Sequence, residues 1–292
     1  ESKQGQGQSA GRERLAAQPA RGLSGEAPAP RLQTSGLVAR VQRHRRPLHH
    51  RIELIGEAHH RQQFAKLLAA HAVVIGAGGL GSPVAMYLAS AGIGKITLVD
   101  HDVVDLTNLQ RQIVHTTASV GQHKAESAKR TLAQINPDTE VVTLCERADA
   151  ATLANLLANA SVVLDCTDNF ATRHAINRAC VEARVPLVSG AAIRMDGQVA
   201  VFDSRSGTTP CYACLFPPDQ HFEVEQCSTM GVFAPLVGSI GTMQAAEALK
   251  IVAELGESLA QRLLLLDAKH MEWTSIRTKR NDDCVVCGQL SK

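Results

Sequence analysis

The sequence predicts an α/β fold built on a doubly wound, mainly parallel sheet. Three observations carry that expectation. A strand-like apolar run, Ala72-Val73-Val74-Ile75, leads directly into a glycine turn, Gly76-Ala77-Gly78-Gly79-Leu80-Gly81. A second such run, Ile96-Thr97-Leu98-Val99, ends on an acid, Asp100. Beyond it, strand and helix patterns alternate, which is how parallel strands are joined by helical crossovers.

Taken in order, a helical pattern over 57–70 precedes the first strand. After the glycine turn, Val84, Tyr87, Leu88 and Ala91 fall on one helical face. Strand patterns at Glu140–Leu144, Val162–Asp165 and Pro186–Ser189 alternate with helical stretches around 123–134, 150–158 and 170–183. Gln198–Asp203 and Leu263–Asp267 read as further strands flanking an Ala-rich helix over 235–254, and Met271–Thr278 as a strand pairing back on the last of them. The whole is a Rossmann-like sheet continued by antiparallel strands.

Composition bounds the rest. At 292 residues, with 45% apolar and 20% charged residues, the chain has what a soluble globular core requires. Residues 1–51 hold ten Lys/Arg and three Asp/Glu, whereas 52–292 hold twenty and twenty-five, so the folded part is mildly acidic. That balance, with only 3% aromatics, argues against a nucleic-acid partner. No apolar run of about 18 residues suggests a membrane span, and no secretory signal is visible, so a reducing, cytoplasmic compartment is expected. Residues 1–51 are expected to be a disordered basic tail, and residues 52–292 a single domain. Arg43-His44-Arg45-Arg46-Pro47 within that tail also has the look of a misread frame of a GC-rich gene.

The loop fits Gly-x-Gly-x-x-Gly, in which glycines let backbone amides approach phosphate and the following helix N-terminus favours its charge. Asp100 lies 19 residues past Gly81, where a ribose-binding carboxylate belongs. On its own the motif leaves NAD, FAD, S-adenosylmethionine, ATP or an empty tight turn open. Arg111 and Lys124 tilt it, because a triphosphate needs side-chain cations that a dinucleotide does not. Their plain alternatives are a surface ion pair and a solvated lysine. Asp168, after the strand 162–165, stands at the carboxyl edge of the sheet, where it can reach a metal ion bridging phosphates; its plain alternative is a helix N-cap.

Two Cys-x-x-Cys pairs, Cys211/Cys214 and Cys284/Cys287, have the spacing of a four-thiolate zinc site. With all ligands sulfur, such a site is structural, and disulfides are the lesser alternative in a reducing compartment. Cys145, Cys166 and Cys180 read as small buried hydrophobes.

In order and spacing, Gly76–Gly81, Thr107-Asn108-Leu109-Gln110-Arg111-Gln112, Lys124, Asp165-Cys166-Thr167-Asp168-Asn169, Ser189–Arg194 and the two cysteine pairs resemble the bacterial MoeB/ThiF enzymes, prokaryotic relatives of ubiquitin-activating enzymes. The resemblance covers about residues 57–289. It implies magnesium- and ATP-dependent adenylation of the C-terminal glycine of a small ubiquitin-like sulfur-carrier protein ending in Gly-Gly, with molybdopterin synthase favoured over the thiamin thiazole carrier. It implies a nucleotide site of Gly76, Gly78, Gly79, Gly81, Asp100, Thr107, Asn108, Leu109, Gln110, Arg111, Lys124, Asp168 and Asn169, with Asp168 binding Mg²⁺ and Arg111 and Lys124 acting in catalysis. It also implies zinc on Cys211, Cys214, Cys284 and Cys287, and a homodimer.

Cys227 falls where family members carry a cysteine on a crossing loop, functional in sulfur transfer in the thiazole branch; its plain reading is an inert thiol. The chain departs from the family at 48–54, where Arg51 alone stands in for an arginine that reaches the partner subunit. No appended sulfurtransferase domain follows Cys287, so a separate sulfur donor is expected. Two other classes compete. An NAD-dependent oxidoreductase would leave Arg111, Lys124 and the cysteines unused, and a non-catalytic scaffold would bind the carrier without turning over ATP.

Overall fold

The computed structural model describes residues 57–218 and 231–288. The expected tail over 1–51, Arg51 and Cys227 lie outside the described residues.

Eight strands among the described residues form one sheet: β1 (His71–Ile75), β2 (Lys95–Val99), β3 (Glu140–Leu144), β4 (Val162–Asp165), β5 (Leu187–Ile193), β6 (Asp196–Phe202), β7 (Arg262–Asp267) and β8 (Glu272–Arg277). Their order is β3-β2-β1-β4-β5-β6-β7-β8. The first five run parallel, and β6, β7 and β8 continue antiparallel. Strand order therefore reverses between β1 and β4, and a crevice opens at the carboxyl ends of those two strands.

The alternation of side chains across the central strands explains why their sequences read as continuous apolar runs. Ala72 and Val74 of β1, with Val162 and Leu164 of β4, face one core; Val73, Ile75 and Val163 face the other. The first core is covered by α1 (Glu57–Ala69), α2 (Gly81–Ala91), α3 (Lys124–Ile135) and α7 (Ala234–Ala253), the second by α4 (Ala150–Leu157) and α5 (Phe170–Ala183). A one-turn helix, α6 (Tyr212–Leu215), carries the first cysteine pair.

Strand β5 runs four residues beyond the expected Ser189, and β6 starts two before the expected Gln198. The reason is a tight hairpin: Ile193 pairs with Asp196 across Arg194-Met195, with Arg194 at φ 50°. Gly190, Ala191 and Ala192 carry little strand propensity of their own, so tertiary pairing decides. Small residues here also admit α7, since a Cβ on Gly197 would fall 2.7 Å from Ile240 Cγ1 and one on Gly190 2.3 Å from Gln244 Oε1.

Candidate functional site

The glycine turn is shaped by sterics before any ligand is considered. Gly76 has φ 98°, and a Cβ there would sit 2.7 Å from the Cys166 carbonyl oxygen of the neighbouring strand end. A Cβ on Gly81 would come within 1.9 Å of the Gly76 carbonyl oxygen, so the turn cannot close around any larger residue. Gly78 differs: its Cβ position meets only Gln112 Nε2, at 3.6 Å. Its glycine leaves backbone accessible to the crevice rather than relieving a clash. The helix that follows has no side-chain cap and no acid in its first turn, leaving its positive end available to an anion.

Asp100, at the end of β2, fixes the turn from the other side. Its Oδ2 accepts the Ala77 N–H at 2.7 Å and its Oδ1 the Asp102 N–H at 2.8 Å. Each oxygen keeps a further lone pair, so the carboxylate can still accept a hydroxyl. Beneath the turn, buried His115 spans Ala77 O (Nε2, 2.9 Å) and Ser127 Oγ (Nδ1, 2.9 Å). A carbonyl can only accept, so Nε2 carries the proton and Nδ1 accepts from the Ser127 hydroxyl. Burial, joined by the nearby Lys124 charge, holds the His115 pKa below its ordinary value.

That shift has a consequence for stability. The unfolded chain takes up the imidazole proton more readily than the folded one, so the neutral ring's contribution is present above the unfolded value near 6.5 and drains as pH falls toward the lower folded value. Burial lowers His71 and His174 in the same direction. Urea midpoints measured from pH 7.5 to 5.5 should fall with pH, and the fall should be shallower in His115→Gln; equal slopes would contradict the burial argument.

One cavity of ≈ 1280 Å³ occupies the crevice. It exceeds the roughly 300–1,000 Å³ of ordinary small-molecule sites. Gly76, Gly78, Gly79, Asp100, Arg111, Lys124, Asp168 and Asn169 all line it. Five other candidates from the motif are not among its lining residues. Gly81 is locked under Gly76, and Thr107 gives its N–H (2.8 Å) and hydroxyl (2.5 Å) to Asp105 Oδ1 in a 3₁₀ turn. Asn108 accepts Arg111 Nη2 at 2.6 Å and so aims the guanidinium, while Leu109 and Gln110 occupy the turn between them.

The two cations differ in setting. Lys124 is 5% exposed and its Nζ lies 2.8 Å from Asp102 Oδ2, so it is not a solvated lysine. Burial would raise the Asp102 carboxyl, but the Lys124 ammonium outweighs it and holds the pKa below the usual value. Arg111 is half-buried, with a neutral amide rather than a carboxylate as its hydrogen-bond partner. Its charge is thus left for something else.

Across the cavity, Asn169 caps α5, accepting the Thr172 N–H at 2.9 Å. The capping role weighed for Asp168 therefore belongs to its neighbour, and Asp168 stands exposed on the cavity wall. Its turn rests on fully buried Asp165, which accepts Thr167 N–H (3.1 Å) and Oγ–H (2.7 Å) on Oδ1 and the Ser189 hydroxyl (2.9 Å) on Oδ2. Gln112, 4% exposed, has a buried Oε1 without a partner, as a wall completed by a bound molecule would.

The four paired cysteines converge. Sulfur separations are 3.7 Å for Cys211–Cys284, 3.9 Å for Cys211–Cys214 and 3.4 Å for Cys214–Cys287. A tetrahedral zinc with bonds of about 2.3 Å sets its sulfurs about 3.8 Å apart, whereas a disulfide needs about 2.05 Å. The cluster could therefore hold zinc and is not disulfide-bonded. Hydrogen bonding with Cys211 lowers the Cys214 pKa from the ordinary thiol value, which favours the thiolate a metal needs. Outer contacts come from Asn177 Nδ2 to Cys211 Sγ (3.6 Å) and the Asn281 N–H to Cys214 Sγ (3.5 Å).

Residues 49–286 match the profile of the ThiF family. The chain belongs to this family. It is 45% identical to the molybdopterin-synthase adenylyltransferase of Salmonella typhimurium over 222 residues, 75% of this chain and 88% of that one. It is 44% identical to the sulfur carrier protein ThiS adenylyltransferase of Escherichia coli over 227 residues, 76% and 88% of the two chains. Among solved structures, E. coli MccB with ATP matches with a TM-score of 0.69 at 26% identity, covering 78% of this chain and 70% of that one.

Several residues that line the cavity carry no role in the sequence analysis. Gln112 sat in a quoted motif, and its place directly after Arg111 was the available signal. Arg173, Arg147 and Asp196 also line the cavity. Each is a lone charge in a helix, loop or strand, with no spacing to mark it. No described helix is long and apolar enough to cross a membrane.

Proposed function

We propose that this chain catalyses magnesium-dependent transfer of AMP from ATP to the C-terminal glycine of a small ubiquitin-like sulfur-carrier protein, releasing pyrophosphate. The observation that carries the reading is the meeting of three features on one cavity: an uncapped glycine turn, two cations and an exposed carboxylate that caps nothing. A dinucleotide oxidoreductase needs only the first. Membership in the ThiF family and relatives named adenylyltransferases support the same choice.

In this reading Gly78 and Gly79 bring backbone against the phosphates, Asp100 receives the ribose, and Asn108 holds Arg111 on the departing pyrophosphate. Lys124 leaves its pairing with Asp102 in part for phosphate oxygen. Asp168 would hold Mg²⁺, which when bound would neutralise phosphate charge, with Asn169 beside it at the nucleotide. The chain's task is electrostatic: an anionic carboxylate must approach an anionic phosphate, and Arg111 and Lys124 offset that repulsion from fixed positions. Cavity space beyond ordinary ligand size suits an extended Gly-Gly tail beside the nucleotide. The remaining parts of the reading are a homodimer, structural zinc on the four cysteines, and sulfur supplied by a separate donor.

The favoured carrier is the small subunit of molybdopterin synthase, in molybdenum cofactor biosynthesis, following the relative at 45% identity. The thiamin thiazole carrier is the second reading, because a relative named for it stands at 44%; a sulfur-transfer role for Cys227 belongs there. ATP–pyrophosphate exchange with each carrier in turn separates them. We expect exchange that needs Mg²⁺ and the molybdopterin-synthase subunit. Exchange with only the thiamin carrier would transfer the assignment, and no exchange with either would reject adenylation.

A further inference from the structure

Two buried polar atoms beside the Asp168 turn lack well-formed hydrogen bonds, and they belong to different parts of the molecule. One is Nε of Arg173, on α5; the other is the phenol oxygen of Tyr212, between the zinc-type cysteines Cys211 and Cys214. The two side chains face each other. Arg173 Nε lies 3.9 Å from Asp165 Oδ2, too long for a hydrogen bond, while its Nη2 donates to Thr167 O at 2.6 Å and Gly190 O at 3.3 Å. Thr167 immediately precedes Asp168. A hydroxyl on the cysteine turn is thus two contacts from the carboxylate proposed to bind magnesium.

The rest of the connection is rigid. Tyr212 is 1% exposed, its ring set edge-on to Phe202 (5.7 Å) and His174 (5.3 Å) and tilted against Phe216 (4.8 Å). Asn177, one turn along α5 from Arg173, accepts the Tyr212 N–H at 2.9 Å and donates to Cys211 Sγ at 3.6 Å. The cysteine turn and α5 are therefore tied together, with the Tyr212 hydroxyl set against Arg173 without a well-formed bond. Half-satisfied buried networks are costly, and each unpartnered group in one calls for an explanation.

We infer that Tyr212 is a positioning residue that couples the cysteine cluster to the nucleotide site: its hydroxyl engages Arg173 when a bound nucleotide fixes the Thr167–Asp168 turn. The inference rests on the ATP-binding and zinc readings above. Coupling between two sites is reciprocal, so nucleotide must hold zinc as much as the closed joint holds nucleotide.

The test uses the zinc-loaded full chain, wild type and Tyr212→Phe, which keeps the ring and removes only the hydroxyl. Two quantities are read: Mg·ATP affinity by calorimetry, and zinc affinity by equilibrium extraction into a chromophoric chelator with and without Mg·ATP. In the wild type, Mg·ATP should tighten zinc binding about fivefold or more. Tyr212→Phe should lose that tightening and bind Mg·ATP more weakly by a similar factor, with unchanged zinc content and thermal midpoint. A phenol that serves packing alone would leave the tightening intact. Extraction unaffected by nucleotide in the wild type, or tightening retained in Tyr212→Phe, overturns the inference while ATP binding stands. Absence of zinc from reduced protein also overturns it. A wild type that fails to bind Mg·ATP overturns it together with the reading it rests on.

Discussion

Asp168→Ala should reduce carrier-dependent ATP–pyrophosphate exchange by about three orders of magnitude while leaving the fold unchanged. The size follows from chemistry: removing one preorganised electrostatic group from a phosphoryl- or acyl-transfer site costs about 10²–10³ in rate, and losing the proposed magnesium ligand would also weaken nucleotide binding. The structural half of the expectation comes from position. Asp168 is exposed, Asn169 supplies the α5 cap, and Asp165 holds the Thr167 backbone from below. The buried group that senses the Asp168 carboxylate is Arg173, which also has the Asp165 carboxylate beside it, so stability should move by only about 1 kcal/mol. Exchange and thermal unfolding on the same preparation check both halves. Near-normal exchange would remove Asp168 from the reaction; unfolding would move it into the scaffold.

The second large effect is loss of zinc. Among the described residues, the apolar cluster around the four cysteines adds Val181 and Ala213, with Val286 partly buried against them, while the Tyr212 ring packs into the neighbouring core. So small a cluster is not enough to organise residues 279–288 by itself, and in zinc-finger peptides metal binding supplies about 10–16 kcal/mol. A chelator-stripped, reduced chain should therefore lose hydrogen-exchange protection over 211–216 and 279–288, while strands β1, β2 and β4 keep theirs. Cys284→Ala should reproduce this without chelator. Equal protection with and without metal would show that the cysteines fold without zinc.

What was legible in the residues depended on how local the cause was. Strands β1, β2 and β4 are buried on both faces, so their apolar runs announce them, and the glycine turn announces itself because no Cβ fits at Gly76 or Gly81. The cysteine pairs were legible because tetrahedral coordination demands that spacing. The extension of β5 through Gly190-Ala191-Ala192 was not, since α7 packing and pairing with β6 decide it. Nor was the capping of α5 by Asn169 rather than Asp168, because two adjacent cap-forming residues compete and only backbone geometry chooses. Contacts made across long stretches of chain left no local trace. His115 under Ala77, 38 residues away, and Arg173 above Gly190, 17 away, are of that kind.

The same distinction separates the parts of the proposed nucleotide site. Arg111 was visible as a motif residue, but its orientation by Asn108 is a property of the 3₁₀ turn capped by Asp105. Lys124 was visible as a lysine, whereas its burial against Asp102 requires the sheet to bring the loop after β2 to the start of α3. A charge held out of water before any ligand arrives costs less to reorganise when one does, which is the advantage a fixed site has over solvent.

The most direct measurement is intact mass spectrometry of the carrier after incubation with this chain, ATP and Mg²⁺, in the presence of pyrophosphatase to draw the reaction forward. The account predicts a carrier heavier by one AMP, labile to hydroxylamine, with the adduct on the terminal glycine and absent when that glycine is deleted. A carrier of unchanged mass, from a chain that is folded and binds ATP, would contradict it.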